Sequence, residues 1–479
     1  MDSMQTDQQP MLPVPHATTP FWRTELHELD DHRSTADLPP ECDILIIGGG
    51  YAGIAAAYHL LVGDETEAEA EAVAGKKVVL LEARQACSGA TGRNGLLNFV
   101  SFTPELTRHS GGHVRPSVYP RLPHYIEEYG LEAAEQLAQF ELDHVNAFAN
   151  LVEKEGIECD FELTRSFDIY TDPEQAAVAK ANYLRLKEAG VAKSTIDDLE
   201  WTDADRAEEI SGVKGCVGCF TFTAASVWPY KLFLSLLKLT IQKGLNLQTH
   251  TPATAISPGP SRSGLWTAST PRGPISAKQI IFATNGYTAS LLPEYTGKIV
   301  PCRGICSRIT CPPSSHPPKL DKTYCLRLPH GSHDYLIPRN DGSIIVGGAR
   351  SAFFPDPSQW YNTVDDSTLI EPAAHYFDSY MQEHFVGWEE SGARVQQVWT
   401  GIMGYSADGL PSVGAVPGRQ GCFVAAGFEG HGMPLVWLAM KGVVGMLGGM
   451  GFEETGVPGM FRTTKERLES ERDDLRVKV

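Results

Sequence analysis

Apolar positions along the chain follow two periods, and the first clear case is Ile44 to Ile47. This short β-branched run is the pattern of a strand buried on both faces of a parallel sheet. It leads into Gly48-x-Gly50-x-x-Gly53 and then Ile54 to Leu61, an alanine- and leucine-rich stretch that predicts a helix. Lys77 to Leu81 predicts a second buried strand. Leu122, Tyr125, Ile126 and Tyr129, then Leu137, Phe140 and Leu142, recur at helical spacing, so Tyr119 to Glu155 reads as one long helical region ended by Gly156. Cys159 to Tyr170 alternates like a strand, and Pro173 to Gly190 reads as another helix. A helix over Lys231 to Lys243 follows Trp228, Pro229 and Tyr230, with the proline near its first turn. Strands are expected at Leu245 to His250, Thr254 to Ser257 and Gln279 to Thr284. Residues 298–390, with Asp334 to Arg339 and Ser343 to Gly348, read as a mostly antiparallel sheet. Cys422 to Ala426 is a last strand before a glycine turn and a helix start.

The order strand, glycine turn, helix, strand gives the three glycines separate tasks. Gly48 permits the tight turn, Gly50 lets a pyrophosphate approach the backbone, and Gly53 lets helix and strand pack closely. The helix N-terminus, at Tyr51 and Ala52, offers free N–H groups and a partial positive charge to phosphates. Glu82 ends the second strand, where an acid binds ribose hydroxyls and disfavours a 2′-phosphate. Its distance from Gly53 exceeds the usual spacing of about 20 residues, and the excess is the Glu- and Ala-rich stretch from Asp64 to Gly75. The expected ligand is FAD or NAD(H). Ala83 to Gly95, with Arg84, Thr91, Arg93 and Asn94, forms a second small-residue loop suited to a phosphate or a flat ring.

Composition adds bounds. At 479 residues the chain exceeds one ordinary core. Its net charge of −19 argues against nucleic acid or an anionic membrane as partner. No secretory signal or spanning stretch is visible, so a cytoplasmic enzyme is expected. The ten cysteines are scattered; Cys216 and Cys219 have CxxC spacing but no second pair nearby, and no metal is assigned.

The opening unit, the "EARQACSGATGRNG" loop, the later "ATNGYT" and the C-terminal "GFEGHGM" together resemble the D-amino-acid-oxidase-like family of FAD-dependent oxidoreductases. The nearest likeness is to the amine-oxidising branch that includes γ-glutamylputrescine oxidoreductases and their fungal relatives. The resemblance spans about residues 40–450, with the motifs in the family's order. It implies an α/β fold in which a Rossmann-type FAD-binding domain is interleaved with an α+β antiparallel-sheet substrate domain.

On this reading residues 1–40 are an extended arm, with Phe21 and Trp22 as its large anchors. The FAD domain takes 41–118, 226–297 and 391–455; the substrate domain takes 119–225 and 298–390; 456–479 is a tail. Family members run Arg-Asn-Gly-Gly-His without a break, whereas here 96–111 separates Gly95 from Gly112 and His113. That segment is an insertion or a translated intron, and it raises the alternative of a catalytically impaired flavoprotein.

The resemblance further places Thr254 and Ala255 at the adenine, and Thr284, Asn285 and Gly286 beside the dinucleotide. Gly427, Gly430, His431, Gly432 and Met433 are placed at the pyrimidine end of the flavin. For His431 either the side chain or only the backbone matters. Trp228 and Tyr335 are candidate substrate-cavity residues, with a structural role as the alternative for each, while His330 and His333 are expected to be exposed. Where amino-acid-oxidising relatives carry an arginine that clamps the substrate carboxylate, this chain has Met403, within Gly401-Ile402-Met403-Gly404. An amine is therefore expected over a free α-amino acid. Gly401 also stands where sarcosine-type oxidases tether flavin through cysteine, so FAD is expected to be noncovalent.

The implied reaction is oxidation of a C–N bond (CH–NH or CH–NH2) to an imine, with oxygen, giving hydrogen peroxide, or another compound as acceptor. The alternative is an amino-acid oxidase or dehydrogenase whose clamp lies elsewhere, at Arg303, Arg327 or Arg339.

Overall fold

The computed structural model describes residues 11–63, 75–93, 113–116 and 118–475. Two large sheets organise them. The first contains β1 (Glu41–Ile47), β2 (Val78–Leu81) and, after a long excursion, β7 (Asn246–Gln248), β8 (Ala255–Ile256), β9 (Trp266–Ser269), β10 (Ile275–Phe282), β16 (Ser412–Ala415) and β17 (Cys422–Ala426). Its spine runs β16-β17-β10-β1-β2-β7, and from β17 to β7 every pairing is parallel. Ile44, Leu45 and Ile46 have no exposed surface, as a strand covered on both faces requires.

Helix α1 (Tyr51–Leu61) covers one face, between the helices Pro229–Gln242 and Val436–Leu447. Its Ala55, Ala56 and Ala57 are fully buried, and these short side chains allow three-way packing.

The excursions build the second sheet from β3 (His113–Val114), β4 (Glu162–Tyr170), β5 (Glu200–Asp203), β6 (Gly218–Ser226), β11 (Ile299–Thr310), β12 (Thr323–Arg327), β13 (His333–Pro338), β14 (Ile344–Gly347) and β15 (Arg394–Ser406). The order is β15-β11-β14-β13-β12-β4-β6-β3, antiparallel except for the β12–β4 pair, with β5 on β6. The α/β architecture with two interleaved sheets is the one expected. The expected boundary at 391 differs: β15 pairs along β11 and completes the second sheet, not the first. β3 likewise falls in the second sheet, inside the segment 41–118 assigned to the first.

The helical region from Tyr119 is not continuous. A single 3-10 turn and the helix Leu122–Tyr129 stop at Gly130, whose φ of +85° no helix contains, and the 25-residue helix Leu131–Glu155 starts afresh. Gly156 ends it in the left-handed conformation, as its position suggested.

The arm is anchored more widely than its two aromatic residues imply. Phe21 and Trp22 pack with Trp228, ring centroids 4.9 and 5.9 Å apart, and Trp228 Nε1 donates to Trp22 O at 2.7 Å. Ser34 N donates to Leu247 O at 2.9 Å. Nine of the ten cysteines are buried, Cys311 is partly exposed, and none forms a disulfide. No helix among the described residues is long and apolar enough to cross a membrane.

Candidate functional site

The C-terminal ends of β1, β2 and β10 open into a groove of about 1310 Å³, the space at its mouth included. Such an edge of a parallel sheet is where open α/β folds place their ligands. The glycine turn forms its floor. Gly48 has a φ of +112°, and a Cβ there would lie 2.5 Å from Ala283 O. A Cβ on Gly53 would lie 1.8 Å from Gly48 O, so only glycine lets α1 press against the turn. A Cβ on Gly50 would meet Thr91 Oγ1 at 3.0 Å in the groove wall.

Thr91 Oγ1 accepts from Tyr51 N at 2.7 Å, which draws the second loop over the first turn of α1. Glu82 closes β2: Oε2 accepts from Gly49 N at 2.7 Å and Oε1 from Arg84 N at 2.9 Å, while its side chain lines the groove. Ala52 and Ala83 line it as well.

Arg84 and Arg93 are held from behind. Asp366 binds Arg84 through both oxygens, at 2.9 and 3.0 Å, and lies 3.4 Å from Arg93 Nε. Arg93 also donates to Ser88 O, Thr18 Oγ1 and Thr400 O, and burial lowers its pKa to about 10. These guanidiniums brace the loop against the arm and β15. Arg84 borders the groove, and Arg93 does not. Asn94 and Gly95, with 96–111, lie outside the described residues.

At the other end three turns meet. Asn285, at φ +45°, turns its Oδ1 to accept from Gly427 N at 3.0 Å. A Cβ on Gly286 would sit 2.7 Å from Met403 O, and one on Gly404 would sit 2.5 Å from Asn285 Oδ1. Glu429 N donates to Gly404 O at 3.0 Å, and Gly427, Glu429 and Gly430 all have left-handed backbones. The first and second sheets are joined here, with Thr284, Asn285, Gly286, Ile402, Met403, Phe428, Gly430, Gly432 and Met433 on the groove wall.

The last helix starts at Val436, one turn later than the glycine turn suggested. Val436 N donates to Gly432 O, Tyr51 Oη donates to Met433 O at 3.3 Å, and His144 Nε2 accepts from Leu438 N at 3.1 Å. His144 is thereby fixed as the Nδ1–H tautomer, bonded to Phe140 O at 2.7 Å, and burial lowers its pKa to about 4. The His431 side chain leaves the groove: its Nε2 lies 3.1 Å from Glu141 Oε1 in the helix Leu131–Glu155, and neither residue is exposed.

The remaining candidates lie apart from the groove. Trp228 belongs to the arm's aromatic cluster. Tyr335 is fully buried on β13, its hydroxyl 3.2 Å from Cys306 Sγ. Thr254 and Ala255 are taken up by β8 and its approach, and the groove is lined instead by Thr251 and Ala253. His333, expected to be exposed, is fully buried because it faces inward on β13; the His330 side chain lies outside the described residues. Arg303, Arg327 and Arg339 are engaged by Asp365, Asp168 and Asp160, and none lines the groove. Leu12 and Pro13 of the arm do line it, a contact without any local sequence signal. Among the described residues no three His, Cys, Asp or Glu side chains group as metal ligands.

A glycine cradle that any Cβ would fill, a helix N-terminus aimed along it and an acid at the end of β2 fit an extended dinucleotide. The fold and groove thus define a dinucleotide-binding protein whose second, largely antiparallel sheet contributes Ile402 and Met403 to one end of the groove. Residues 43–443 match the family model described as FAD dependent oxidoreductase (DAO), and the chain belongs to that family. It is similar to gamma-glutamylputrescine oxidoreductase of Escherichia coli (strain K12), 22% identical over 418 residues that cover 85% of this chain and 84% of that one. Among solved structures, glycine oxidase from Geobacillus kaustophilus superimposes with a TM-score of 0.64 at 20% identity, over 89% of this chain and 99% of the other. L-alpha-glycerophosphate oxidase from Mycoplasma pneumoniae, with FAD bound, gives 0.59 at 15% identity over 88% and 99%. FAD is the cofactor of the family, and this chain is an FAD-dependent oxidoreductase.

Proposed function

We propose that the protein oxidises a C–N bond of a small amine or amino compound to an imine and passes the electrons to oxygen, releasing hydrogen peroxide. The observation that carries the reading is the groove wall at Ile402 and Met403, apolar and buried, with Met403 standing where the family resemblance would put a carboxylate-clamping arginine. The similarity to gamma-glutamylputrescine oxidoreductase supports an amine in that place.

Gly48, Gly50, Gly53 and the first amides of α1 would hold the pyrophosphate, Glu82 the ribose, and the Gly430–Met433 backbone the pyrimidine end of the flavin. FAD, when bound, supplies the hydride acceptor. The chain supplies orientation and dryness. Met403, Phe428 and Ile402 exclude water, and the amides of Gly432 and Met433, just ahead of the last helix, favour negative charge at the groove. A neutral amine needs no further base, and among the described residues no acid–base pair lines this wall. Gly401 offers no nucleophile for a covalent tether.

The test is spectroscopic. Purified protein is expected to be yellow, to bleach without air on addition of an amine, and to release all of its flavin on acid precipitation. Glycine or simple D-amino acids that reduce the flavin as fast as any amine would overturn the substrate assignment. Flavin that stays with the precipitate would overturn noncovalent binding.

A further inference from the structure

The inner face of the second sheet can be traced from the pairing register. Met403 stands opposite Cys302, Cys306 opposite Gly347, and Gly347 opposite Tyr335. His333 stands opposite Arg327, Cys325 opposite Asp168, Glu162 opposite Ser226, and Ser226 opposite His113. Residues paired across a ladder, and residues two apart in a strand, share a face. Met403 of the groove wall therefore lies on the same face as Tyr335, His333, Arg327, Asp168 and His113.

Among the buried charges of this face, cations outnumber anions. Arg327 holds Asp168 through two bonds of 2.8 and 2.7 Å, and Tyr119 donates to the same carboxylate. Arg115 brings a second guanidinium to it, with Nη2 3.1 Å from Asp168 Oδ2, and donates Nε to Ser166 Oγ at 2.8 Å. One carboxylate thus answers two guanidiniums. Arg115 has no exposed surface; its guanidinium lies 4.7 Å over the Phe222 ring, and its Nη1 has no hydrogen-bond partner among the described residues. Both ring nitrogens of His113, equally buried, are in the same position. An unmet buried donor is costly, more so when it is charged, so a group left in this state calls for a reason, and a ligand is one.

We propose that this face is the substrate chamber and that Arg115, with His113 beside it, receives a carboxylate carried by the amine at a distance from the oxidised carbon. The proposal rests on the reading of the protein as an amine oxidase. It reconciles the apolar wall at Met403 with a buried positive charge several strands away on the same face. The substrate class is an amino compound with a remote carboxylate, not an α-amino acid clamped at the wall. His113 is held neutral by burial and by Arg115, which lower its pKa to about 3, so it offers one N–H donor without adding charge.

The experiment compares, on the FAD-loaded protein without air, straight-chain amines bearing a terminal carboxylate with alkylamines of the same length. The carboxylated compounds are expected to bleach the flavin at concentrations at least about tenfold lower, the order of one charge-assisted hydrogen-bonded pair. Arg115→Met should erase the preference, and Arg115→Lys should keep part of it. Acetate, propionate and butyrate are the second probe, having no amine to oxidise. They should raise the melting temperature of the wild type above that in chloride of equal ionic strength, and Arg115→Met should abolish the shift.

Equal bleaching by both series at every length, or no response to the carboxylates, would overturn the proposal. Should Arg115→Met fail to fold, the wild-type comparisons decide alone. If no amine bleaches the flavin while carboxylates still stabilise the wild type through Arg115, the oxidase reading falls and the chamber stands. Bleaching by alkylamines alone gives the converse.

Discussion

Close approach at single atoms sets the strictest demands on this sequence. Gly53→Ala would set a methyl group 1.8 Å from Gly48 O, and the contact is backbone, so α1 must lift. The expected loss is on the order of 3 kcal/mol, together with colourless protein on purification; a visible spectrum equal to the wild type's would contradict it. Asp334 provides a pH test. Burial, against hydrogen bonds from Tyr376 and the Ala349 amide, raises its pKa from 3.8 to about 6. The raised value means that the protonated fold is favoured, fully so below pH 3.8, and that this stabilisation is lost as the pH rises through about 6. Asp334→Asn lacks the penalty of ionising inside. Its stability relative to the wild type should therefore grow, on the order of 3 kcal/mol, between about pH 4 and about pH 7. A difference that is flat across that range in thermal melts would refute the assignment.

At the level of elements, local pattern was informative where an element's partners are close in sequence. The β1–α1–β2 unit and the helix ends at Gly156 and Gly190 are legible because glycine, alanine and β-branched residues there answer local needs. The break at Gly130 was not, since the apolar spacing continues across it and only its φ of +85° interrupts the helix. β15 was misassigned because its partner, β11, lies far away in sequence and nothing within Arg394–Ser406 names that partner. The groove contacts of Thr251 and Ala253 were missed by a few residues, in a segment without periodicity.

The arm is the largest omission. Leu12 and Pro13 line the groove, Val14 O accepts from Arg84, Thr18 Oγ1 accepts from Arg93, and Ser290 Oγ donates to Met11 O. Removing residues 1–19 should weaken FAD binding by about tenfold, the order of one or two lost contacts. Recovery of flavin fluorescence on dilution measures this, and an unchanged dissociation constant would leave the arm a purely structural role.

For the molecule as a whole, FAD binding must proceed against the field of the chain. The net charge is −19, the cofactor's pyrophosphate is anionic, and the arginines nearest the glycine loops, Arg84 and Arg93, are committed to Asp366. Backbone amides would therefore do the local binding while the distant charge repels. Added salt screens that repulsion, so FAD should associate with the apoprotein faster as ionic strength rises. A stopped-flow rate that falls with salt would reveal a positive entrance that this reading omits. Because the groove draws its walls from both sheets, saturating FAD should also stabilise the entire chain, by about 4 kcal/mol at a thousand times the dissociation constant.

The cysteine thiols take on a chemical meaning if peroxide is made inside the molecule. Peroxide attacks thiolates, and a thiol kept protonated is nearly inert to it. Burial pushes Cys302 and Cys306, on the same face as Met403, well above the ordinary thiol range. The thiols on this face are thus poorly oxidisable, whereas the thioethers of Met403 and Met433 on the groove wall have no such protection. Cys216 is the exception, held low by the hydrogen bond with Cys219 near the opposite edge of the sheet. Among the thiols, oxidation by peroxide made in the groove would begin at Cys216, away from the groove lining.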